Sequence, residues 1–172
     1  VQQCVDYLRQ IPGDFFAIEE PLVARDFHNL EKLKCSIGKK IILDESFTTR
    51  SDYEYVRRHK DHYILNFRVS KMGGLIRSRA IIDRAVKDGI QFIIGAHVGE
   101  TSILTRAAML LGRETPYLVA REGAVGEFLL SEDLCSESIM FGLGGLCQLE
   151  SPENGIGYTI KPELLKKQTR LL

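Results

Sequence analysis

Neither sign of charge prevails in this sequence: 23 basic and 23 acidic side chains cancel to a formal net charge of zero. A broad nucleic-acid footprint, which needs clustered excess Lys and Arg, is therefore excluded. Cysteine is sparse. Cys4, Cys35, Cys135 and Cys147 have neither the close spacing of a zinc ribbon nor the density of a disulfide-built secreted scaffold, so reduced thiols and a cytoplasmic setting are expected. No apolar run approaches the ~20 residues that span a bilayer, and no basic segment followed by an apolar one opens the chain, so no membrane association is expected. Val1 stands where an intact chain would carry Met, in a stretch that already reads as helix, and this marks the sequence as a fragment.

What is present is an ordinary globular composition, with 44% apolar and 27% charged residues in 172. Such a length buries roughly two-thirds of the surface its unfolded form exposes, so disulfides are not needed. Short apolar runs rich in β-branched and aromatic residues recur at 15–21 (FFAIEEP), 40–46 (KIILDES), 63–69 (YILNFRV), 91–97 (QFIIGAH) and, less sharply, 117–123 (YLVAREG). Each has strand length. Between them, helical periodicity covers 26–35, 51–60 with Ser51 and Glu54 placed as a capping box, 75–88 stopped by Gly89, and 101–111 stopped by Gly112. Residues 1–10 read as one further helix and 161–170 as a last one, with Pro162 in its first turn. Strand and helix alternate, which predicts an α/β fold with a parallel sheet.

Within every run the apolar residues come first and a polar residue closes it: Glu19, Asp44, Arg68, His97 and Glu122, spaced 24 to 29 residues apart. That interval is one βα unit, and it sets one chemically active side chain at the carboxyl end of each successive strand. Asn66 and Arg68 share a strand face, as do Ile42, Asp44 and Ser46. Glu19 and Asp44, at corresponding ends of strands ~4.8 Å apart, can converge on one hard cation such as magnesium; each can instead cap the following helix or pair with a lysine. Arg68 and Lys71 read as a clamp for a substrate anion or as structural ion-pair partners. His97 reads as a general acid or base, or as a hydrogen-bonded structural histidine. Glu100 and Glu122 are weaker candidates. Gly73-Gly74, between strand and helix, lacks either full phosphate-loop pattern, and FGLGG at 141–145 reads as a loop or a short strand pair before the turn-rich SPENGIG.

The strings AIEEP, ILDES, NFRVSKMGGL and GAHVGETS, with the closing GIGYTIKPELL, resemble the carboxyl-terminal part of the enolase superfamily in its mandelate racemase and muconate lactonizing enzyme branch. Four such strings in the family's order, one βα unit apart, make the resemblance specific. It implies the C-terminal portion of a (β/α)8 TIM-type barrel, about strands 4 to 8, with an N-terminal capping domain and the first strands absent. Residues 1–135 would form the partial barrel and 136–172 a segment closing onto it. It also implies abstraction of the proton α to the carboxylate of a small substrate, with a magnesium ion stabilising the enediolate, as in racemases, cycloisomerases and dehydratases. Glu19 and Asp44 match the second and third metal ligands; the first lies outside this chain.

The catalytic candidates are His97, Arg68 and Lys71. Arg68 stands where muconate-type members place a second lysine and mandelate racemase-like members an aspartate that orients the following histidine. Arginine is always protonated and a poor base. The isolated chain is accordingly expected to be inactive, and the alternatives are a non-catalytic family member or an anion-binding α/β module. An unpaired barrel edge also predicts a homo-oligomer.

Overall fold

The computed structural model describes residues 1–112, 115–123, 126–147 and 157–169. Its elements run α1 (Gln2–Leu8), β1 (Ala17–Glu19), α2 (Phe27–Ile37), β2 (Lys40–Leu43), α3 (Arg50–Arg58), β3 (Tyr63–Phe67), α4 (Leu75–Asp88), β4 (Phe92–Ile94), α5 (Ser102–Leu111), β5 (Leu118–Arg121), α6 (Gly126–Leu129), a 3-10 turn (Leu143–Gly145) and α7 (Pro162–Thr169). The five strands make one sheet in sequence order, β1-β2-β3-β4-β5. β1 pairs parallel with β2 with Glu19 opposite Ile42, and β2 pairs parallel with β3 with Ile42 opposite Ile64. All five expected strands are present, each shorter than its apolar run; Glu19 closes β1 within the ladder, whereas Asp44, Arg68, His97 and Glu122 lie beyond the ends of their strands.

The helix ends show how local chemistry sets these boundaries. α2 starts at Asp26, whose carboxylate accepts from the Asn29 amide, and stops at Gly38, which takes a left-handed φ of 67°. A side chain there would be strained. α3 starts one residue earlier than expected, and its cap lies two residues earlier. Its capping box is Thr49 with Asp52, not Ser51 with Glu54: the Thr49 hydroxyl accepts from the Asp52 amide, and the Asp52 carboxylate accepts from the Thr49 amide at 2.7 Å. Arg25 then donates to the same Asp52 carboxylate at 3.0 Å, a bond that Glu54 could not offer from the second turn. The FGLGG segment forms the 3-10 turn and no strand pair, and α6 was not foreseen. Most of SPENGIG lies outside the described residues.

The chain divides into two compact units. The first comprises 1–67, 79–93 and 115–120. Its central strands, β2, β3 and β4, are buried on both faces, as parallel strands flanked by helices are, while β1 and β5 are only partly buried. One face carries Ile41, Leu43, Tyr63, Leu65 and Phe67, all fully or almost fully buried, and Phe67 meets Phe47 and Phe92 edge to face at ring separations of 5.3 and 5.4 Å. Such contacts add to the gain from burial itself. The other face carries a separate apolar layer of Ala17, Ile42, Ile64, Ile93 and Ala120.

The second unit comprises 68–78, 94–114 and 121–172. Its organising group is Asp133, buried against the start of α5. The carboxylate accepts from the Ser102 amide at 2.9 Å, the Ser102 hydroxyl at 2.7 Å and the Cys135 amide at 2.9 Å. Cys135 in turn bridges antiparallel to Ile160, which ties the segment preceding α7 to this anchor. All four cysteines are free thiols, and burial pushes the Cys135 thiol up to about 11, so it is inert at neutral pH.

Burial would raise the Asp133 carboxyl, but the bonds from Cys135 and Ser102 outweigh it and hold the group below the ordinary aspartate range. A carboxylate with a lowered folded-state pKa stabilises the fold above its unfolded value near ~3.9 and loses that contribution as pH falls through the folded value. Asp133→Asn should therefore cost about 2 kcal/mol in urea unfolding at pH 7. The gap between variant and wild type should narrow as pH falls below the unfolded value and through the lowered folded one.

Candidate metal centre and the strand ends

Two residues beyond three members of the apolar layer, Ala17, Ile42 and Ile64, toward the carboxyl ends of the strands, the first unit turns polar. Ala17 leads to Glu19, Ile42 to Asp44 and Ile64 to Asn66, and period-2 alternation keeps each pair on one strand face. The Asn66 amide donates to the Glu19 carboxylate at 2.7 Å. Asn66 and Asp44 are 0% and 1% exposed. Two carboxylates and a carboxamide thus stand over an apolar floor, a donor set of oxygens suited to a hard divalent cation. Glu19 and Asp44, the expected metal ligands, are placed on this face.

Asp44 is positioned by Glu20, which the sequence reading passed over. Glu20 has a left-handed φ of 35°, unusual for a residue with a side chain. Its carboxylate accepts from the Asp44 and Ser46 amides, both at 2.8 Å, and from the Ser46 hydroxyl at 2.9 Å. Three donors from the loop after β2 are thereby fixed by one side chain from the loop after β1. The Arg25 amide adds a further bond to Ser46 Oγ at 2.7 Å.

Glu45 was also missed, and it adds a third carboxylate beside Asp44. Partial desolvation raises its pKa, the bond and charge of Asp44 and the charge of Glu20 raise it further, and its own backbone amide opposes them. The loop after β2 thus brings Glu45 close to the carboxylates of Asp44 and Glu20.

In the second unit, Arg68 follows β3 directly and His97 follows β4 by three residues. Arg68 Nη1 approaches His97 Nδ1 at 3.5 Å. Guanidinium can only donate, so in this contact Nδ1 accepts and the ring proton sits on Nε2. In that contact the ring offers an N–H through Nε2. The loop carrying it is held by Glu100, whose carboxylate accepts from the His97 amide at 3.1 Å and from the Thr105 hydroxyl at 3.0 Å. Gly123 packs against that brace: with φ at 114°, an added Cβ would lie 3.3 Å from Glu100 Oε1 and 3.4 Å from the Ala96 Cβ. Glu122 accepts from the Ala96 amide at 3.4 Å, and Glu100 and Glu122 both serve this loop. Lys71 lies half-buried in the turn between β3 and α4.

A family model described as enolase C-terminal domain-like matches residues 1–164. The chain belongs to this family. It is 26% identical over 139 residues to a chloromuconate cycloisomerase of Cupriavidus pinatubonensis, covering 81% of this chain and 37% of that protein. It is 28% identical over 162 residues to muconate cycloisomerase 1 of Rhodococcus opacus, covering 94% and 43%. Among solved structures it superposes on a dipeptide epimerase from Cytophaga hutchinsonii, complexed with Mg and the dipeptide D-Ala-L-Val, with a TM-score of 0.81 at 20% identity, covering 96% of this chain and 45% of that one. The fold is therefore that of the C-terminal part of a (β/α) barrel, and the chain spans less than half the length of these relatives.

The raised Glu45 pKa gives a direct test. Because the Glu45 pKa is raised in the folded chain, its ionised form opposes folding above that pKa, and the opposition vanishes below the unfolded value near ~4.3. In metal-free buffer Glu45→Gln should raise the thermal midpoint at pH 7, and the gain should disappear at pH ~3.5.

Proposed function

We propose that the chain is the C-terminal barrel portion of a magnesium-dependent enzyme that abstracts the proton α to a substrate carboxylate, in the manner of a racemase, epimerase or cycloisomerase. The observation that carries this reading is a carboxylate at the carboxyl end of each of two neighbouring strands, exposed Glu19 at the end of β1 and buried Asp44 just after β2, in a chain belonging to this family. Glu19 and Asp44 would hold the cation, with a further ligand from outside this chain. The carboxylates gathered beside Asp44 and the all-oxygen donor set fit such an ion. When bound, it supplies a fixed positive charge for the carboxylate oxygens as electron density moves onto them.

The chain's own residues divide the remaining work. Asn66 orients the Glu19 carboxylate through its 2.7 Å bond, and Glu20 holds the loop that carries Asp44. Arg68 fixes the His97 tautomer and brings positive charge toward an anionic substrate. His97 then offers Nε2–H to the substrate, while Lys71 adds a second cation on the adjoining turn. With Nδ1 occupied by Arg68, His97 serves as donor in this state, and acting as base requires the Arg68 contact to open. A second reading, an anion-binding module without catalysis, is favoured by the same contact. It pairs arginine with histidine where a base with an orienting carboxylate would stand.

Magnesium binding to the 172-residue chain should be weak, because each missing carboxylate leaves more of the ion's charge uncompensated. Calorimetry should show millimolar binding lost in Glu19→Gln and in Asp44→Asn. Submicromolar binding that survives both changes would place the site elsewhere.

In a longer protein that supplies the remaining ligand and strands, α-proton exchange in deuterated water should be measurable. Arg68→Lys should keep part of the activity. His97→Asn should lower exchange by ~100-fold or more. Exchange indifferent to the His97 change would move proton transfer to residues outside this chain, and a protein with its full ligand set that exchanges nothing would establish the anion-binding reading.

A further inference from the structure

The amino end of β3 gathers a second group of ligating side chains, unrelated to the carboxylates at the other end of the strands. Glu31 comes from α2, His59 is the residue that ends α3, and His62 immediately precedes β3. One ligand atom from each of the three lies within 4.8 Å of the others. His59 Nδ1 already stands 3.1 Å from Glu31 Oε1. That is close to the ~3.3 Å edge of a tetrahedron whose metal–ligand bonds are about 2.0–2.1 Å.

The surroundings hold these groups in place. The Tyr55 ring stacks on His59 with centroids 4.5 Å apart, and its hydroxyl donates to Glu31. The His59 and His62 rings lie 5.9 Å apart. His62 Nδ1 is buried and has no hydrogen-bond partner among the described residues. A buried polar atom in that condition costs free energy, and coordination of a cation in the cluster would offset it.

We infer that Glu31, His59 and His62 form a second metal site, selective for a borderline divalent cation of the zinc class. Two imidazoles and one carboxylate suit such an ion, whereas magnesium prefers an all-oxygen shell. Three protein ligands leave the fourth position to water. The ion would tie α2 and the end of α3 to the start of β3, three elements adjacent in the first unit but joined by loops, so its role there is structural clamping. The inference does not depend on the proposed chemistry at the carboxyl ends.

The EDTA-treated 172-residue chain, titrated with ZnCl2, should bind one equivalent with micromolar affinity and unfold at a higher temperature. Equal concentrations of MgCl2 should not raise the midpoint. CoCl2 should give the visible bands of a low-symmetry nitrogen and oxygen site without the near-ultraviolet band of a thiolate. His59→Gln and His62→Gln should each weaken zinc binding by ~10-fold or more, and Glu31→Gln should weaken it less; Glu19→Gln should leave it unchanged. Zinc bound no more tightly than magnesium, zinc retained by the His59→Gln/His62→Gln double variant, or a thiolate band with cobalt would each overturn the assignment. The cobalt spectrum is read on the unaltered chain, so the test holds even if a variant folds poorly.

Discussion

Three hydrogen bonds converging on the carboxylate of Glu20 fix the geometry on which the carboxyl ends of the first strands depend. Asp44 lies just beyond the last residue of β2, where its amide must find a partner outside the ladder. Glu20 supplies that partner. The residue reaches it by adopting a left-handed backbone, which costs on the order of 1 kcal/mol, and three charge-assisted bonds more than offset the strain. The two adjacent glutamates consequently do different things: Glu19 faces Asn66 on the inner face, and Glu20 braces the neighbouring loop.

The same reasoning explains what could be read directly from the sequence. Strands and most helices were legible because parallel strands buried on both faces must be continuous apolar runs, and because the polar residue ending each run interrupts them. Glu19, Asp44, Arg68 and His97 stood out for that reason. The division of labour between Glu19 and Glu20 was not legible, since adjacent residues of one type differ only in the backbone angle between them. The register of α3 was hidden similarly: Thr49 with Asp52 and Ser51 with Glu54 both satisfy the capping pattern, and only the reach of Arg25 to Asp52 separates them.

The pairing of Arg68 with His97 and the gathering of Glu31, His59 and His62 depend on contacts across 29 and up to 31 positions of sequence. Local pattern carries no trace of such distances. His59-x-x-His62 was the one faint sign, and two histidines at that spacing are common without any ligand. The parallel sheet converts these long separations into neighbours, because every βα unit returns the chain to the same edge.

The contact of Gly123 with the Glu100 brace has a consequence for how this protein can diverge. The loop bearing His97 is set by a carboxylate whose space is reserved by the absence of one methyl group on a different strand's loop. Any replacement at position 123 would be registered first as a displacement of Glu100 and then as a new aim for the imidazole. Variation at one small residue therefore offers a route to altered selectivity that leaves the ladder, the apolar layer and the charged side chains untouched.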